Sequence, residues 1–329
     1  MATYESTQAI APPEALHRAP TRSLELGRRG ILTYYAGHSA ITDPGRFANL
    51  LDDLPRDVAE VARVVQGLLM HPAAARLYGE PPERDGTAWG YRTMEETIER
   101  ILALDGAPLA VPRPPGKRLR GNCRNFAVLF VSILRHRGIP ARRRVGFARY
   151  LAGRHSYTHE IAEYWSEPEQ RWVLVDPQID QQTHGAQRSF FDSIGEPTRA
   201  AYDSLDIRLG EQFLTGGVAW RLCRVGVADP ETFRSGPWMG LREIACAVLQ
   251  DLDGLNKAEL LSTDSGHNPT KDLTAEDVAL LDRIAELTDQ PEAHFTNLRE
   301  LFAVSAYGQR VGALLSHYGL EPPTPLHES

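Results

Sequence analysis

The sequence predicts an α+β fold, and three observations carry that prediction. An amphipathic helix begins at a cysteine, two short extended runs follow it, and helical periodicity resumes on both sides of this unit. The helix opens at Asn122, a favourable N-cap type, and carries apolar side chains at Ala127, Phe130, Val131 and Leu134. Stepping back four residues along that stripe lands on Cys123. Gly138 suits a left-handed C-cap, and Pro140 cannot continue the helix. The extended runs are Ser156–Trp165 and Arg171–Asp176, separated by the turn-like Ser166-Glu-Pro-Glu169, and they read as a β-hairpin.

The remaining elements follow from local signals. Residues 1–30 read as a tail, with Ala11-Pro-Pro13 and Ala19-Pro20 interrupting any helix. Residues 31–105 form an N-terminal helical part. In it, Asp43-Pro44 opens a short helix bearing Phe47, Leu50 and Leu51, and a second helix from Pro55 buries Val58, Val61, Ala62, Val65 and Leu69 before His71-Pro72. Thr93-Met-Glu-Glu96 has the form of a capping box ahead of Ile98, Ile101 and Leu102. A loop rich in Pro, Gly and charge between Tyr78 and Arg92 holds Trp89. Residues 106–190 form the core around the cysteine helix, approached through Pro108, Pro112, Pro114 and Pro115 and left through a polar loop that contains His184. Residues 191–329 read as a helical region packed on that core. Phe213, Val218, Ala219, Leu222 and Cys223 suggest one helix, and Trp238 to Leu261 suggests a long one with Cys246 at the edge of its stripe. Thr274-Ala-Glu-Asp277 caps another, Asp289-Gln-Pro291 opens the next, and the last runs to about His317.

Composition narrows the function classes. A hydrophobic share of 42%, a charged share of 24% and a net charge of −7 describe an ordinary soluble domain with no nucleic-acid-binding surface. Three widely spaced cysteines suggest neither a disulfide framework nor a metal knuckle. The first residues lack a signal-peptide pattern, and no run approaches the roughly eighteen apolar residues of a membrane span. The expected location is cytoplasmic, with no membrane or nucleic-acid partner.

The chemistry centres on Cys123. A thiol in the first turn of a helix feels unpaired backbone N–H groups and the positive end of the dipole, and Arg120 and Arg124 flank it in sequence. All of these favour thiolate. The competing reading is a small core residue, the commonest fate of a cysteine on an apolar stripe. If Trp165 faces Gln170 across the hairpin turn, His159 falls opposite Asp176, with Cβ atoms about 4.5–5.5 Å apart. Cys123, His159 and Asp176 then supply a nucleophile, a base and a group that orients the base. Glu163 lies roughly 13 Å from His159 along the strand, too far to replace Asp176. Asp180 lies beyond Pro177, which lacks the donor of a central strand. Cys123 and His159 have no third and fourth ligands at recognisable spacing, so neither a metal nor another cofactor is expected.

Four segments agree in order and spacing with a known family: Gly-Asn-Cys123-Arg-Asn-Phe-Ala, Leu-Arg-His-Arg-Gly-Ile-Pro-Ala-Arg142, His159 followed by Glu-Tyr-Trp165, and Trp172-Val-Leu-Val-Asp176-Pro177. Over roughly residues 110–185 the chain resembles the transglutaminase-like superfamily, a branch of the papain-like cysteine enzymes, and in particular its bacterial transglutaminase-domain proteins. The resemblance implies a Cys-His-Asp triad at Cys123, His159 and Asp176, with the cysteine helix packed on an antiparallel sheet inside the N- and C-terminal helices. It also implies acyl transfer through a thioester, from an acyl donor that includes carrier-bound thioesters to an amine acceptor. A cysteine peptidase or amidase using water is the alternative, and a non-catalytic binding module the second. The backbone N–H of Cys123 would be one oxyanion donor; Asn122 and Trp89 are candidates for the other, and Arg124 for substrate contact. One position departs from the family: where an Asp-His-Trp run is usual, this chain has Thr158-His159-Glu160.

Overall fold

The computed structural model describes residues 23–81, 90–151, 154–180, 202–264 and 272–323, and its architecture is α+β. The first element, α1 (Ser23–Ala36), begins inside the stretch expected to be a tail. Past Pro44 the chain makes a 3₁₀ turn, Gly45–Leu51, in place of a short α-helix. Helix α2 (Val58–Leu68) starts three residues after Pro55, because the Asp57 carboxylate accepts from Glu60 N (3.0 Å) and serves as the N-cap. β1 (Leu69–Met70) and a second 3₁₀ turn, Pro72–Tyr78, follow. Thr93 caps α3 (Met94–Leu104) through Glu96 N (3.2 Å), as its signature predicts. β2 (Leu119–Arg120) runs parallel to β1, with Leu69 beside Leu119 and Met70 beside Arg120. Gly121 N donates to Met70 O (3.1 Å), so this small ladder ties the N-terminal helices to the turn before the cysteine.

Helix α4 (Cys123–His136) begins at the predicted residue, and its stretch from Arg124 to Arg135 is buried. Gly138, with φ 74°, releases the chain into β3 (Ala141–Ala148). β4 (Ser156–Ser166) and β5 (Arg171–Val175) form the predicted hairpin. Beyond it the structure departs from an all-helical reading. β6 (Phe213–Thr215) precedes α5 (Gly216–Arg224), and β7 (Phe233–Ser235) and β8 (Trp238–Met239) precede α6 (Leu241–Leu255). The apolar periodicity ran on through Thr215, which in fact caps α5 through Val218 N (3.3 Å). It also ran through Gly240, whose φ of 85° separates β8 from α6. Helices α7 (Ala275–Asp289), α8 (Phe295–Val304) and α9 (Ala306–His317) complete the chain.

The main sheet has the order β6-β3-β4-β7-β8, and β5 shares with β7 the far edge of β4. β7 runs parallel to β4, so the sheet is mixed where the resemblance implied an antiparallel one. β6 covers β3 only at Gly146–Ala148. Helix α6 covers the rest of that edge: Val145 N donates to Asp251 Oδ1 (2.9 Å), and a Cβ on Gly254 would stand 2.5 Å from Arg143 O. Arg142, Arg143 and Arg144, three successive residues of β3, are each at most 1% exposed. Arg142 pairs with Glu163 (2.6 Å) and Glu292 (2.6 Å), Arg143 with Glu160 (2.7 Å), and Arg144 with Glu163 (3.0 Å) and Asp251 (2.9 Å).

Removing one partner from such a cluster strands a buried charge. Asp251→Ala should therefore destabilise the fold by about 3–5 kcal/mol in chemical denaturation. A loss below about 1 kcal/mol, the scale of an exposed pair, would show that the Arg144–Asp251 contact does not hold α6 to the sheet.

Candidate active site

Cys123 is the first residue of α4 and is partly buried. Two reciprocal bonds hold the turn before it: Asn122 N donates to Asn125 Oδ1 (3.0 Å), and Asn125 N donates to Asn122 Oδ1 (3.3 Å). A Cβ on Gly121 would sit 2.6 Å from Tyr91 Oη and 2.9 Å from Asn125 Cβ, so the approach to the cysteine has no room for a side chain. His159 lies on β4 opposite Gly146. A Cβ there would stand 2.1 Å from Leu214 O, so glycine lets β6 close on the strand that flanks the histidine.

Asp176 follows β5 directly. The hairpin register pairs Ser166 with Arg171 and Ala162 with Val175, two positions away from the predicted one. The turn occupies Glu167–Gln170, with Gln170 in the left-handed region at φ 52°. A shift by an even number keeps both side chains on one face and makes His159 and Asp176 diagonal neighbours in place of opposed ones. His159 Nε2 and Asp176 Oδ2 are 2.8 Å apart.

Asp176 is fully buried, and further donors hold its carboxylate. Tyr150 Oη donates to Oδ2 (2.8 Å), and Gln178 N donates to Oδ1 (3.0 Å). Burial and then the Asp176 charge push the Tyr150 phenol well above its ordinary value, so it stays protonated and remains a donor. Burial by itself would lower the pKa of His159. The Asp176 carboxylate, together with a hydrogen bond to Cys123, reverses that and raises it to about 10. With Nε2 committed to Asp176, Nδ1 is the ring nitrogen left for the sulfur. The fold thus joins Cys123, His159 and Asp176, and adds Tyr150, a residue beyond the end of β3 that no sequence motif marks.

Other expected residues lie elsewhere. The Arg124 guanidinium is buried and donates to Glu259 O (2.7 Å), Arg92 O (2.7 Å) and Tyr91 O (3.2 Å). It anchors α4 to its surroundings and is not available for substrate contact. Arg120 reaches toward Glu80 (3.9 Å), so neither flanking arginine is devoted to the thiol. The Asn122 carboxamide oxygen is spent on the helix cap. Trp89 and His184 lie outside the described residues. Glu163 serves Arg142 and Arg144, and Tyr78 Oη donates to Asp180. Glu160, standing where the family usually has tryptophan, is the partner of Arg143, and Thr158 Oγ1 donates to Glu243 (2.7 Å).

Residues 114–177 match the transglutaminase-like superfamily. No curated protein matches the chain. A solved structure from Cytophaga hutchinsonii, described as a candidate cysteine protease, is 16% identical, with a TM-score of 0.32 over 45% of this chain and 42% of its own.

Burial, aided by Asp229, pushes the Cys223 thiol up to about 11, and burial, aided by Glu243, pushes the Cys246 thiol up to about 12. Iodoacetamide at pH 7 should therefore alkylate Cys123 first in the native protein, as read by peptide mass mapping. Equal labelling of all three would contradict that assignment. The raised pKa of His159 also makes a prediction for stability. A group held protonated in the fold stabilises it fully below the unfolded value of about 6.5 and loses that contribution as pH rises toward the folded value. The stability difference between wild type and Asp176→Asn should be greatest below pH 6.5 and shrink up to about pH 10. A difference that stays constant over this range would exclude a charged His159–Asp176 pair.

Proposed function

We propose that the transglutaminase-like domain at residues 114–177 catalyses acyl transfer through a thioester on Cys123, with His159 as proton carrier and Asp176 as its orienting group. One observation carries the reading: a single imidazole lies 2.8 Å from a buried carboxylate, and that carboxylate and the thiol at the N-terminus of α4 both favour its charged form. His159, with its pKa raised to about 10, rests as an imidazolium that Asp176 stabilises and so holds the proton that the attacking thiolate has given up. The sulfur attacks an amide, ester or thioester carbonyl, and the C–S bond forms as the carbonyl π electrons move to oxygen. The N–H of Cys123, in the first turn of α4, is one donor for that oxyanion. His159 returns its proton to the leaving group as the bond to it breaks. An amine, or water, then attacks the thioester with His159 as base and releases the thiolate.

Tyr150 and Gln178 N sharpen this arrangement. They occupy two further acceptor positions of Asp176 and hold its carboxylate plane, which orients the histidine. The amine acceptor is the reading that the family favours, since exclusion of water from the thioester decides between transfer and hydrolysis.

Incubation with p-nitrophenyl acetate should leave an acetyl adduct, read by intact mass, that is absent in Cys123→Ala. Hydroxylamine at millimolar concentration should then divert the acyl group to the hydroxamate. Acid as the only product would replace transfer with hydrolysis, and no adduct on Cys123 would remove the nucleophile.

A further inference from the structure

We propose that a cleft beside the triad is a subsite for an N-acylated amino acid or peptide as acyl donor, with the Gln178 side-chain carbonyl accepting from its amide N–H; this names the substrate of the acyl-transfer reading above and rests on it. The cleft lies between the start of the cysteine helix and the turn after β5. Phe126, one turn along α4 from Cys123, lines it together with Leu69, Met70 and Ala74, and so does Gln178, two residues past Asp176. His71 is a further lining residue and feels the charges of both His159 and Asp176, so the cleft stands within electrostatic reach of that pair. Neither Cys123 nor His159 lines it. It therefore seats a part of the substrate away from the reacting carbonyl.

Two of the polar side chains in the cleft are engaged, since Gln66 Nε2 donates to Ile179 O (3.2 Å) and Tyr78 Oη donates to Asp180. The Gln178 side-chain carbonyl differs. Its oxygen is buried, and among the described residues no donor reaches it. A buried acceptor left without a donor is costly, so a ligand that brings an N–H to it gains affinity there. A carbonyl accepts and cannot donate, which selects an N–H, and the apolar walls favour a neutral amide over a charged ammonium. The backbone N–H of the same residue donates to Asp176 Oδ1 (3.0 Å). An acyl donor bonded to the Gln178 side chain is thus aligned with the turn that carries the carboxylate of the triad, which holds its carbonyl in one orientation toward the sulfur.

Two p-nitrophenyl esters test this: the N-acetylglycinate, which carries the N–H, and the acetoxyacetate, in which an oxygen takes its place. Acylation of Cys123 by each is followed by p-nitrophenol release and intact mass, and the ratio of the two rates is divided by the ratio found with N-acetylcysteine, which removes intrinsic reactivity. Wild-type protein should prefer the N–H ester on the order of tenfold. Gln178→Met, similar in size but without a carbonyl, should bring that ratio to about one. The variant keeps its backbone N–H, and any displacement of Asp176 would slow both esters alike, so the ratio reports the side chain. A wild-type ratio near one, as a water held by Gln178 would give, overturns the assignment. A preference for the oxygen ester overturns it as well, because the carboxamide would then turn its NH2 to the cleft, and so does a preference for N–H that survives in Gln178→Met. If Gln178→Met does not fold, as read by circular dichroism, Gln178→Ala decides by the same ratio. Failure of the acyl-transfer reading looks different, since neither ester would then leave an adduct on Cys123.

Discussion

Taking a guanidinium out of water costs several kcal/mol unless a carboxylate goes with it, and β3 buries three in succession at Arg142, Arg143 and Arg144. Burial opposes their charge, and Glu163, Glu160 and Asp251 more than reverse that, so all three have raised pKa values. Glu163 answers in kind: burial would raise its pKa, but Arg142 and Arg144 hold it below the usual carboxylate range. The acids come from β4, from α6 and, through Glu292, from the approach to α8. Arg142 also lies over the Trp172 ring at 4.0 Å, which draws in β5. A one-residue slip of β4 or α6 would leave a buried charge without a partner, so the cluster fixes the register of the sheet and of the helix that covers its edge.

The site inherits its geometry from this clasp. His159 is the neighbour of Glu160, which Arg143 holds from the adjacent strand. The carboxylate at that position is the partner that the buried Arg143 requires. Asp176 arrives through the hairpin, and Cys123 through the capped turn at Asn122. A second buried pair, Arg135 with Glu259 (2.8 Å), connects the far end of α4 to the segment after α6. Both ends of the cysteine helix are thus bonded to residues around 259, since Arg124 donates to the backbone oxygen of Glu259 while Arg135 meets its side chain.

What the sequence discloses depends on how local the cause is. The cysteine helix was legible because its cap, apolar stripe and glycine stop lie within the segment itself. The hairpin was legible as two strands, but its register was not, because the four-residue turn sits one residue later than expected, at Glu167–Gln170, where Gln170 takes a left-handed conformation. The His159–Asp176 contact survives that error, since an even shift preserves the face. β6 and β7 were hidden for the opposite reason: Phe213 pairs with Ala148 and Phe233 with Ser156, and no local periodicity reports such distant partners. Arg124 misled for the same reason. It reads as a charge beside a thiol until the carbonyls that bury it are located in space. Tyr150 has no motif at all; it matters only through the strand that delivers it.

The two histidines near Cys123 differ in charge for reasons the fold makes explicit. His159 is buried against a carboxylate and a thiol, which together outweigh desolvation and hold its pKa near 10. At His71 desolvation comes first and the positive charge of His159 adds to it, which holds its pKa near 4, while Ala73 N donates to its Nδ1 (3.1 Å). Environments that push like groups apart assign them different work. In the proposed reaction the cationic ring carries the proton, and the neutral ring leaves that charge unopposed. A charged His159 favours a neutral His71, and a neutral His71 places no second positive charge beside the imidazolium that the thiolate needs.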